Sequence, residues 1–281
     1  MYEIIRKKRL NETITLMTVN APRAALHAKP GQFVVLRADI YGERVPLTIA
    51  DSDGAAGTIT VIFQLVGAST RKLDMLEVGS SLADVTGPLG RPSELQGIKR
   101  AAIVAGGLGV AIAYPIAKAL RSLGASADGF VGFRSEGLII LQDEFTSFCD
   151  YIDIRTDDGS NGSAGFVTDG LRARLEAGER YDEVIAIGPL PMMKAVCNLT
   201  KPYGIKTTVS MNSIMIDGTG MCGCCRLTVG GQTKFACVDG PDFDGHLVDF
   251  DEAARRGRFY LAEEREAEEH RCRLLESAIN G

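Results

Sequence analysis

A window of closely spaced cysteines toward the C-terminus is the feature that most restricts the possible folds of this chain of 281 residues. The window holds four of the seven cysteines: Cys222, Cys224, Cys225 and Cys237. Because the N-terminal residues lack the apolar segment of a secretion signal, this clustering favours metal ligation over disulfide bonds. The other cysteines are scattered, and we interpret them as buried or incidental thiols: Cys149, Cys197 and Cys272.

The spacing within this window is close to that of a [2Fe–2S] site. The order Asp217-x4-Cys222-x2-Cys225-x11-Cys237 agrees with the plant-type Cys-x4-Cys-x2-Cys and a distant fourth cysteine, except that an aspartate stands first. Glycines at 218, 220 and 223 let the backbone curl around inorganic sulfides and direct N–H groups at them. The window therefore predicts an iron–sulfur cluster.

Two alternatives for the window stay open on the residues alone. A structural zinc ion could be held by Cys222, Cys225, Cys237 and one further ligand, although the glycine-rich loop suits a cluster better. In the second alternative Asp217 is only a turn residue. Cys224 would then supply the fourth sulfur from the position next to Cys225.

Residues 1–96 are predicted to form a β domain. Short β-branched runs alternate here with turn residues, a pattern typical of a sandwich or barrel. The runs begin at Tyr2, Thr13, Gln32 and Gly57. Residues 70–76 are the one helical piece that we expect in this part of the chain.

Residues 97–205 show a different pattern, in which apolar strands alternate with helices. Such alternation predicts a mostly parallel, doubly wound sheet that is covered on both faces. Residues 206–248 are predicted to open with a short strand and to form a small cluster domain. Residues 249–281 are rich in Arg and Glu, and we expect them to form a charged helical tail.

Two segments of the β domain predict a flavin site. Arg44 could bind a phosphate, and Thr48 could bind the edge of a flavin ring. Gly67, Ser69 and Thr70 open the expected helix, whose N-terminus could bind an anion. Taken alone, the first segment could be a plain strand end and the second an ordinary N-cap.

The second domain carries a candidate dinucleotide site. Gly106, Gly107 and Gly109 lie between an apolar strand and a helix, as in a dinucleotide-binding turn, although the third glycine of the usual fingerprint is absent. Ligands of open α/β sheets bind at the carboxyl ends of strands, and further candidates lie at such ends. They are Arg134, Thr156, Asp157, Asp158, Gly188 and Met192. The choice of nucleotide stays open, since Arg134 would favour a 2′-phosphate and Glu136 a free 2′-hydroxyl.

The composition argues against several other functions. The net charge of −5, without a basic stripe, gives no support to nucleic-acid binding. No apolar run approaches the roughly 20 residues of a membrane span, and we expect a cytoplasmic protein. The three histidines, His27, His246 and His270, are scattered, and no Ser-His-Asp or Cys-His set is visible. We therefore assign no side chain a catalytic role.

Together these motifs resemble a known family over essentially the whole chain. The order of Arg44-x-Pro46-Leu47-Thr48, a Gly-Gly-x-Gly turn and a C-terminal cysteine loop resembles the ferredoxin–NADP reductase superfamily. Within it, the chain is similar to the branch that contains the electron-transfer subunit of dihydroorotate dehydrogenase. Segments 217–225 and 238–246 narrow the resemblance to the small (alpha) subunits of NADH-dependent reduced ferredoxin:NADP oxidoreductases, also called sulfide dehydrogenase small subunits.

The resemblance implies a β-barrel flavin domain, a doubly wound α/β nucleotide domain and a small C-terminal iron–sulfur loop domain. It implies that FAD lies against Arg44, Pro46, Leu47, Thr48, Ser69 and Thr70. NAD(H) would bind near Gly107, Gly109 and residues 156–160. The [2Fe–2S] cluster would be held by Asp217, Cys222, Cys225 and Cys237.

The resemblance also implies a partner and a reaction. The partner would be a larger flavin subunit with [4Fe–4S] clusters, in a heterodimer that bifurcates electrons and reaches ferredoxin. The orotate branch has cysteine at the first ligand position, so Asp217 favours the ferredoxin-linked branch. Three alternatives remain: the orotate electron-transfer subunit, a zinc-stabilised nucleotide-binding module, and a single-chain reductase that needs no partner.

Overall fold

The computed structural model describes residues 2–264 and residue 266. Its N-terminal part is built from strands and two short helices within the described residues. The strands are β1 Tyr2–Asn11, β2 Ile14–Asn20, β3 Phe33–Arg37, β4 Arg44–Asp53, β5 Thr58–Gln64, β6 Ser81–Leu82 and β7 Asp84–Leu89. The helices are α1 Pro22–His27 and α2 Ala68–Asp74.

These strands form an antiparallel, nearly closed barrel. In the described part of the chain their order is β6-β1-β2-β5-β4-β3-β7. Successive side chains of a strand point to opposite faces, so every second residue can enter the barrel. Met17, Val34, Leu36, Val61 and Phe63 are fully buried in this way. The predicted β domain is thus confirmed as a barrel.

The helices of the barrel domain only partly match the sequence prediction. Helix α2 confirms the helical piece expected near residues 70–76. The prediction that this is the one helix of the domain was wrong, because α1 also forms. Pro22 suits the first turn of a helix, and Ala24 and Ala25 pack into the barrel core. A helix of six residues is too short to show a periodic apolar pattern in sequence.

The second part alternates strands and helices as predicted. Its strands are β8 Arg100–Gly106, β9 Ser126–Phe133, β10 Tyr151–Thr156, β11 Glu183–Ile187 and β12 Lys206–Ser210. Its helices are α3 Gly109–Ser122, α4 Gln142–Thr146, α5 Val167–Glu176 and α6 Leu190–Thr200. The five strands pair in parallel.

The order of strands in this sheet reverses beside β8. Within the described residues the order is β10-β9-β8-β11-β12, with β15 Asp242–Asp244 added antiparallel to β12. The chain first builds outward from β8 to β10 and then continues on the other side with β11. The crevice between β8 and β11 is therefore the topological switch point, where ligands of doubly wound folds bind.

Both faces of the sheet are covered, which confirms the predicted fold class. Alternate residues of β8 enter different cores: Ala102 and Val104 face one, Ile103 and Ala105 the other. Helices α5 and α6 pack on the first face and α3 on the second. This two-sided burial explains why β8 is apolar throughout and does not alternate.

The cysteine window lies between β12 and β15. A glycine-rich loop leads into a hairpin of β13 Arg226–Val229 and β14 Gln232–Phe235, and α7 Phe250–Arg256 follows β15. Strands β12 and β15 fall inside the segment 206–248 predicted as the cluster domain, and both pair in the nucleotide sheet. Of the predicted helical tail, α7 and residues 261–264 are helical, while residues 265 and 267–281 lie outside the described residues.

The three parts share one continuous core. Phe33 and Val35 of the barrel, Val209 of the nucleotide sheet, and Cys225 and Cys237 of the cluster segment belong to the same buried cluster. The linker between the barrel and the nucleotide sheet is hydrogen-bonded to the barrel and to the cluster segment. There, Ser93 N–H donates to Pro30 O at 2.9 Å, and Arg91 N–H donates to Gly240 O at 2.6 Å.

None of the helices in the described part of the chain has the length and apolar character of a membrane span.

Candidate functional site

A group of glycines lies at the switch point of the nucleotide sheet. A Cβ atom on Gly109 would lie 2.2 Å from the carbonyl oxygen of Ile187, and one on Gly106 would lie 2.6 Å from the sulfur of Met192. A Cβ on Gly188 would come within 2.9 Å of the Met192 methyl group. Only glycine permits this close approach of the β8–α3 turn to the β11–α6 turn. The structure therefore brings together four of the predicted nucleotide-site residues.

Gly107 has a different reason to be glycine. Its φ is +55°, and no atom lies within 4 Å of the position that a Cβ would take. Its N–H donates to Gly132 O at 2.9 Å, which ties the turn to the end of β9. The turn is thus shaped by its neighbours and leaves open space beside Gly107, where a phosphate could approach the backbone.

The next strand ends carry the other predicted nucleotide residues. Arg134, Asp157 and Asp158 are exposed just after β9 and β10. Thr156 is fully buried, and its hydroxyl donates to Asn161 Oδ1 at 2.9 Å. Thr156 therefore shapes the loop after β10, and the exposed carboxylates and Arg134 are the groups that can reach a ligand.

The Asp158 side chain orders this loop. Its carboxylate accepts hydrogen bonds from the N–H and the hydroxyl of Ser160, and these bonds lower the pKa of Asp158. The Ser160 hydroxyl oxygen in turn accepts the N–H of Glu136 at 2.7 Å. Arg134 and Glu136, which would select between 2′-phosphate and 2′-hydroxyl, thus lie beside the same loop.

The predicted flavin segment runs along β4 at the barrel surface. Arg44 is exposed, while Pro46, Leu47 and Thr48 are half-buried. Strand β4 pairs with β3 in a register that places Thr48 opposite Phe33. The segment thus offers one cation and a mixed apolar and hydroxyl surface, which is the chemistry that a flavin ring and its phosphates require.

The start of α2 is the other predicted part of the flavin site. Gly67 is its N-cap, and Thr70 Oγ1 accepts the N–H groups of Val66 and Gly67 at 3.1 and 3.3 Å. The Ser69 hydroxyl donates to the Glu43 carboxylate. Thr70 therefore stabilises the turn that precedes α2. Glu43 is an acidic neighbour of the site that was not predicted from the sequence.

Two thiols of the cysteine window face each other in the core. The Sγ atoms of Cys225 and Cys237 are 3.2 Å apart, and both residues are buried. Burial is the main cause that raises the pKa of Cys237 to about 12, while the N–H of Gly220 acts against it. A bound cation is what would stabilise thiolates at this position.

Cys222 lies on the exposed side of the same loop. The N–H of Cys224 is the main cause that lowers the pKa of the Cys222 thiol, and the N–H groups of Asp217 and Ile216 act in the same direction. Backbone donors that converge on a sulfur are expected of a loop that holds an anionic cluster.

Asp217 forms an Asx turn with the residues that follow it. Its Oδ2 accepts the N–H of Thr219 at 3.0 Å, the Thr219 hydroxyl, and the N–H of Met221 at 3.3 Å. The hydroxyl of Thr219 is the main cause that lowers the pKa of Asp217, and the charge of Arg44 contributes. Asp217 is therefore held as a carboxylate, and Thr219 is a supporting residue that Asp-Gly-Thr could have indicated as a turn signature.

The three glycines of the loop adopt a left-handed backbone conformation that glycine accepts readily. Gly218, Gly220 and Gly223 have φ values of +82°, +86° and +69°. Within the described residues, no three His, Cys, Asp or Glu side chains form a complete metal site. The donor set nevertheless fits an iron–sulfur group: two converging thiols, a third thiol with N–H donors, a carboxylate, and a loop free of Cβ atoms at its turns.

The cluster loop and the flavin segment are neighbours. A Cβ on Gly218 would lie 2.9 Å from Leu89 and 3.2 Å from Val35, so the loop packs directly on β7 and β3 of the barrel. Arg44 is close enough for its charge to act on Asp217. The structure thus places the predicted flavin and metal residues on adjoining surfaces.

Comparison with known proteins identifies relatives of the cluster segment and of the whole chain. Residues 212–249 match the iron–sulfur cluster binding domain of dihydroorotate dehydrogenase B. An uncharacterized protein in the adh 3′ region of Clostridium beijerinckii is 47% identical over 276 residues, which are 95% of this chain and 93% of that protein. A Thermotoga maritima homolog of the dihydroorotate dehydrogenase B (NAD(+)) electron transfer subunit is 42% identical over 266 residues, 95% of this chain and 92% of that one.

A solved structure of similar size superposes on nearly the whole chain. It is the NADH-dependent reduced ferredoxin-NADP oxidoreductase structure described for flavin-based electron bifurcation. The TM-score is 0.89 at 40% identity, and the match covers 96% of this chain and 97% of the other.

Proposed function

The chain belongs to the family of dihydroorotate dehydrogenase B electron transfer subunits and their homologs, and we propose that within it the chain serves an NADH-dependent reduced ferredoxin:NADP oxidoreductase. It is an NAD(P)H-dependent flavin and iron–sulfur oxidoreductase subunit of the ferredoxin reductase type. The observation that carries the finer assignment is Asp217, which stands at the first ligand position, where the resemblance implies a cysteine in the orotate branch.

The cofactors supply the chemistry: FAD links a two-electron hydride donor to a one-electron iron–sulfur cluster. The protein binds and orients these groups and sets their potentials. The adjoining surfaces of the barrel and the cluster loop support such a role, because electron transfer requires the groups to be close.

We assign the flavin to the surface formed by β4 and the start of α2. Arg44 would bind the pyrophosphate, since a guanidinium pairs with phosphate through two parallel hydrogen bonds. Pro46, Leu47 and Thr48 would contact the ring, and Gly67, Ser69 and Thr70 would lie near the phosphates. The half-buried state of the β4 residues supports this assignment.

We assign the nucleotide to the switch point of the sheet. Gly106, Gly107 and Gly109 would approach its pyrophosphate, and Gly188 and Met192 would form the opposite wall. Arg134, Asp157 and Asp158 would face the ribose, with Thr156 shaping their loop. We propose NAD as the nucleotide, because the acidic side chains of Asp157, Asp158 and Glu136 favour a free 2′-hydroxyl over a 2′-phosphate.

We assign the [2Fe–2S] cluster to Asp217, Cys222, Cys225 and Cys237. The facing thiols of Cys225 and Cys237 and the N–H donors around Cys222 support the three cysteine ligands. The lowered pKa of Asp217 supports a carboxylate ligand, since metals bind the ionised form. Cys224 is the alternative fourth ligand.

Several broader features complete the proposal. The partner is a larger flavin subunit with [4Fe–4S] clusters in a cytoplasmic heterodimer, and the complex bifurcates electrons with ferredoxin as one acceptor or donor.

The barrel comprises residues 1–96, the nucleotide domain 97–205, the cluster domain 206–248 and the charged tail 249–281. Strands β12 and β15 join the cluster domain to the nucleotide sheet.

An anaerobic visible spectrum of the purified chain, with flavin, iron and sulfide assayed on the same sample, tests the cofactor assignment. We expect one FAD and about two irons and two sulfides per chain. A colourless protein that contains zinc would instead identify a zinc-stabilised nucleotide-binding module.

The orotate electron-transfer subunit is the second candidate, because the family match covers the cluster segment. Affinity purification of the tagged chain from its host, followed by two assays on the recovered complex, separates the two functions. We expect ferredoxin-dependent reduction of NADP with NADH and no oxidation of dihydroorotate. The reverse pattern would assign the chain to the orotate branch.

A further inference from the structure

Helix α7 crosses from the nucleotide domain to the cluster hairpin. Its N-cap, Asp249, accepts the N–H of Glu252 at 2.8 Å. On one side Asp251 accepts Lys194 of α6 at 2.7 Å. On the other side Glu252 accepts the N–H of Thr228 in β13 at 2.9 Å. The helix is thus fixed to both domains by charged contacts.

Arg256 extends this contact to the cluster loop itself. It lies four residues after Glu252, so both side chains project from the same face of α7. Its Nη2 donates to the carbonyl oxygen of Cys224 at 3.2 Å. Cys224 directly precedes Cys225, a proposed ligand that is buried against Cys237.

The guanidinium of Arg256 is held in place by more than this one bond. It lies over the ring of Phe259, with 5.2 Å between the guanidinium carbon and the ring centroid. Arg256 is half-buried in a pocket between the cluster loop, the end of β12 and α7. A half-buried cation acts on a nearby charge more strongly than one in bulk water.

From this geometry we infer that Arg256 is a positioning residue for the iron–sulfur cluster and that its charge raises the midpoint potential of the cluster. The inference rests on the proposed function, since it needs the cluster at Cys222, Cys225 and Cys237. A reduced cluster carries one more negative charge than the oxidised one, so a fixed cation favours the reduced form. The hydrogen bond to Cys224 O holds the cation beside the residue that precedes Cys225, a proposed ligand.

The test is potentiometry of the purified full-length chain, with the cluster followed by its visible and EPR spectra. Arg256→Gln removes the charge and keeps an N–H donor. We expect it to lower the ratio of reduced to oxidised cluster at a fixed potential about tenfold, which is ~59 mV for a one-electron couple. Arg256→Lys keeps the charge, and we expect its ratio to stay within about twofold of wild type.

Arg255→Gln is the matched control, because Arg255 is the preceding residue of the same helix and is exposed. It removes the same formal charge from a position open to solvent and screening. We expect a change of less than about twofold. An unchanged potential in Arg256→Gln with full iron content would overturn the inference, as would equal shifts in both Gln variants.

Iron content separates this inference from the proposed function. A wild-type chain without iron and sulfide would refute the cluster itself, whereas a wild-type cluster with an unresponsive potential would refute only the role of Arg256. If Arg256→Gln loses iron, the Lys variant decides. Iron and potential near wild type in that variant uphold the role of the charge, and loss of iron or a potential as low as predicted for Gln overturns it.

Discussion

The nucleotide turn and the cluster loop both depend on glycine, but close packing and positive φ contribute differently at the two sites. In the nucleotide turn, Gly106 and Gly109 are required because neighbouring backbone and side-chain atoms occupy the space of a Cβ. In the cluster loop, Gly218, Gly220 and Gly223 are required by their positive φ values. At Gly106 and Gly109 packing against the rest of the fold is the constraint, whereas in the cluster loop every one of the three glycines has a positive φ, and Gly218 packs on the barrel as well.

The difference shows in how far the fold alone assembles each site. The four residues Gly106, Gly109, Gly188 and Met192 are in close contact. In the cluster loop Cys225 and Cys237 face each other in the core, but Cys222 is exposed and Asp217 is engaged with Thr219. We therefore expect the nucleotide site to persist in any folded chain and the cluster loop to depend on its metal.

Removing a buried cluster ligand should give the largest effect. In Cys237→Ala we expect the iron content to fall from about two per chain to nearly none, since the cluster requires all its anionic ligands. Flavin retention should stay at the wild-type level, as measured by absorbance after gel filtration. Cys149→Ala removes a thiol far from the window in sequence and serves as the control. Retention of two irons in Cys237→Ala would remove this residue from the ligand set.

A Cβ at the nucleotide turn should disturb the fold without affecting iron. In Gly109→Ala the methyl group would overlap the carbonyl of Ile187, so we expect a loss of about 1–3 kcal/mol in the free energy of unfolding. Chemical denaturation measures this loss, and nucleotide affinity should fall with it. Gly137→Ala is the control, because no atom lies within 4 Å of its Cβ position and its φ is not positive. Equal stability of the two variants would contradict the role of packing.

Substitution of Arg44 tests whether strand β4 forms part of the flavin site. In Arg44→Gln we expect the dissociation constant of FAD to rise roughly 10- to 100-fold, the worth of a hydrogen bond to a charged group. Fluorescence titration of the deflavinated chain measures this change. Arg44→Lys should recover part of the affinity, because it keeps the charge and loses the two-pronged geometry. Unchanged affinity in the Gln variant would place FAD elsewhere.

Exchanging the carboxylate of the cluster loop should have the smallest effect. In Asp217→Cys we expect the cluster to remain and its midpoint potential to fall, by about 60 mV, because a thiolate donates more electron density than a carboxylate. Redox titration measures the shift. Thr219→Val removes the hydroxyl hydrogen bond to Asp217 without changing a ligand. If neither variant shifts the potential, Asp217 is a turn residue and Cys224 becomes the fourth ligand.

The sequence predicted the fold class well because each of its two signals, short β-branched runs between turns and apolar strands alternating with helices, repeats along a whole domain. The β-branched runs of the barrel and the apolar strands of the sheet were placed within a few residues of β1, β2, β3 and β5 and of β8 to β12, whereas β4 was considered only as a possible strand end. Helix α1 and the short strands β6, β7, β13, β14 and β15 were missed. Each has six residues or fewer, so neither apolar period can repeat within it.

The site was predictable where it rests on neighbouring residues in sequence. Gly218, Gly220 and Gly223 indicated a backbone free to curl, and all three have positive φ. The contact of Gly109 with Ile187 and the hydrogen bond of Arg256 to Cys224 join positions far apart in the chain. No local sequence pattern encodes such contacts, because they depend on how distant segments of the chain pack together.

Strand β15 has a consequence for how the chain can be divided. The cluster segment is not an appendage to a finished reductase but an insertion, since the sheet is completed by β15 only after the chain has passed through the metal loop. A fragment that ends at residue 211 would expose the backbone N–H and C=O groups of β12 along an open edge. The last of the described strands, β15, thus forms the edge of a sheet whose first strand in sequence, β8, lies more than a hundred residues earlier.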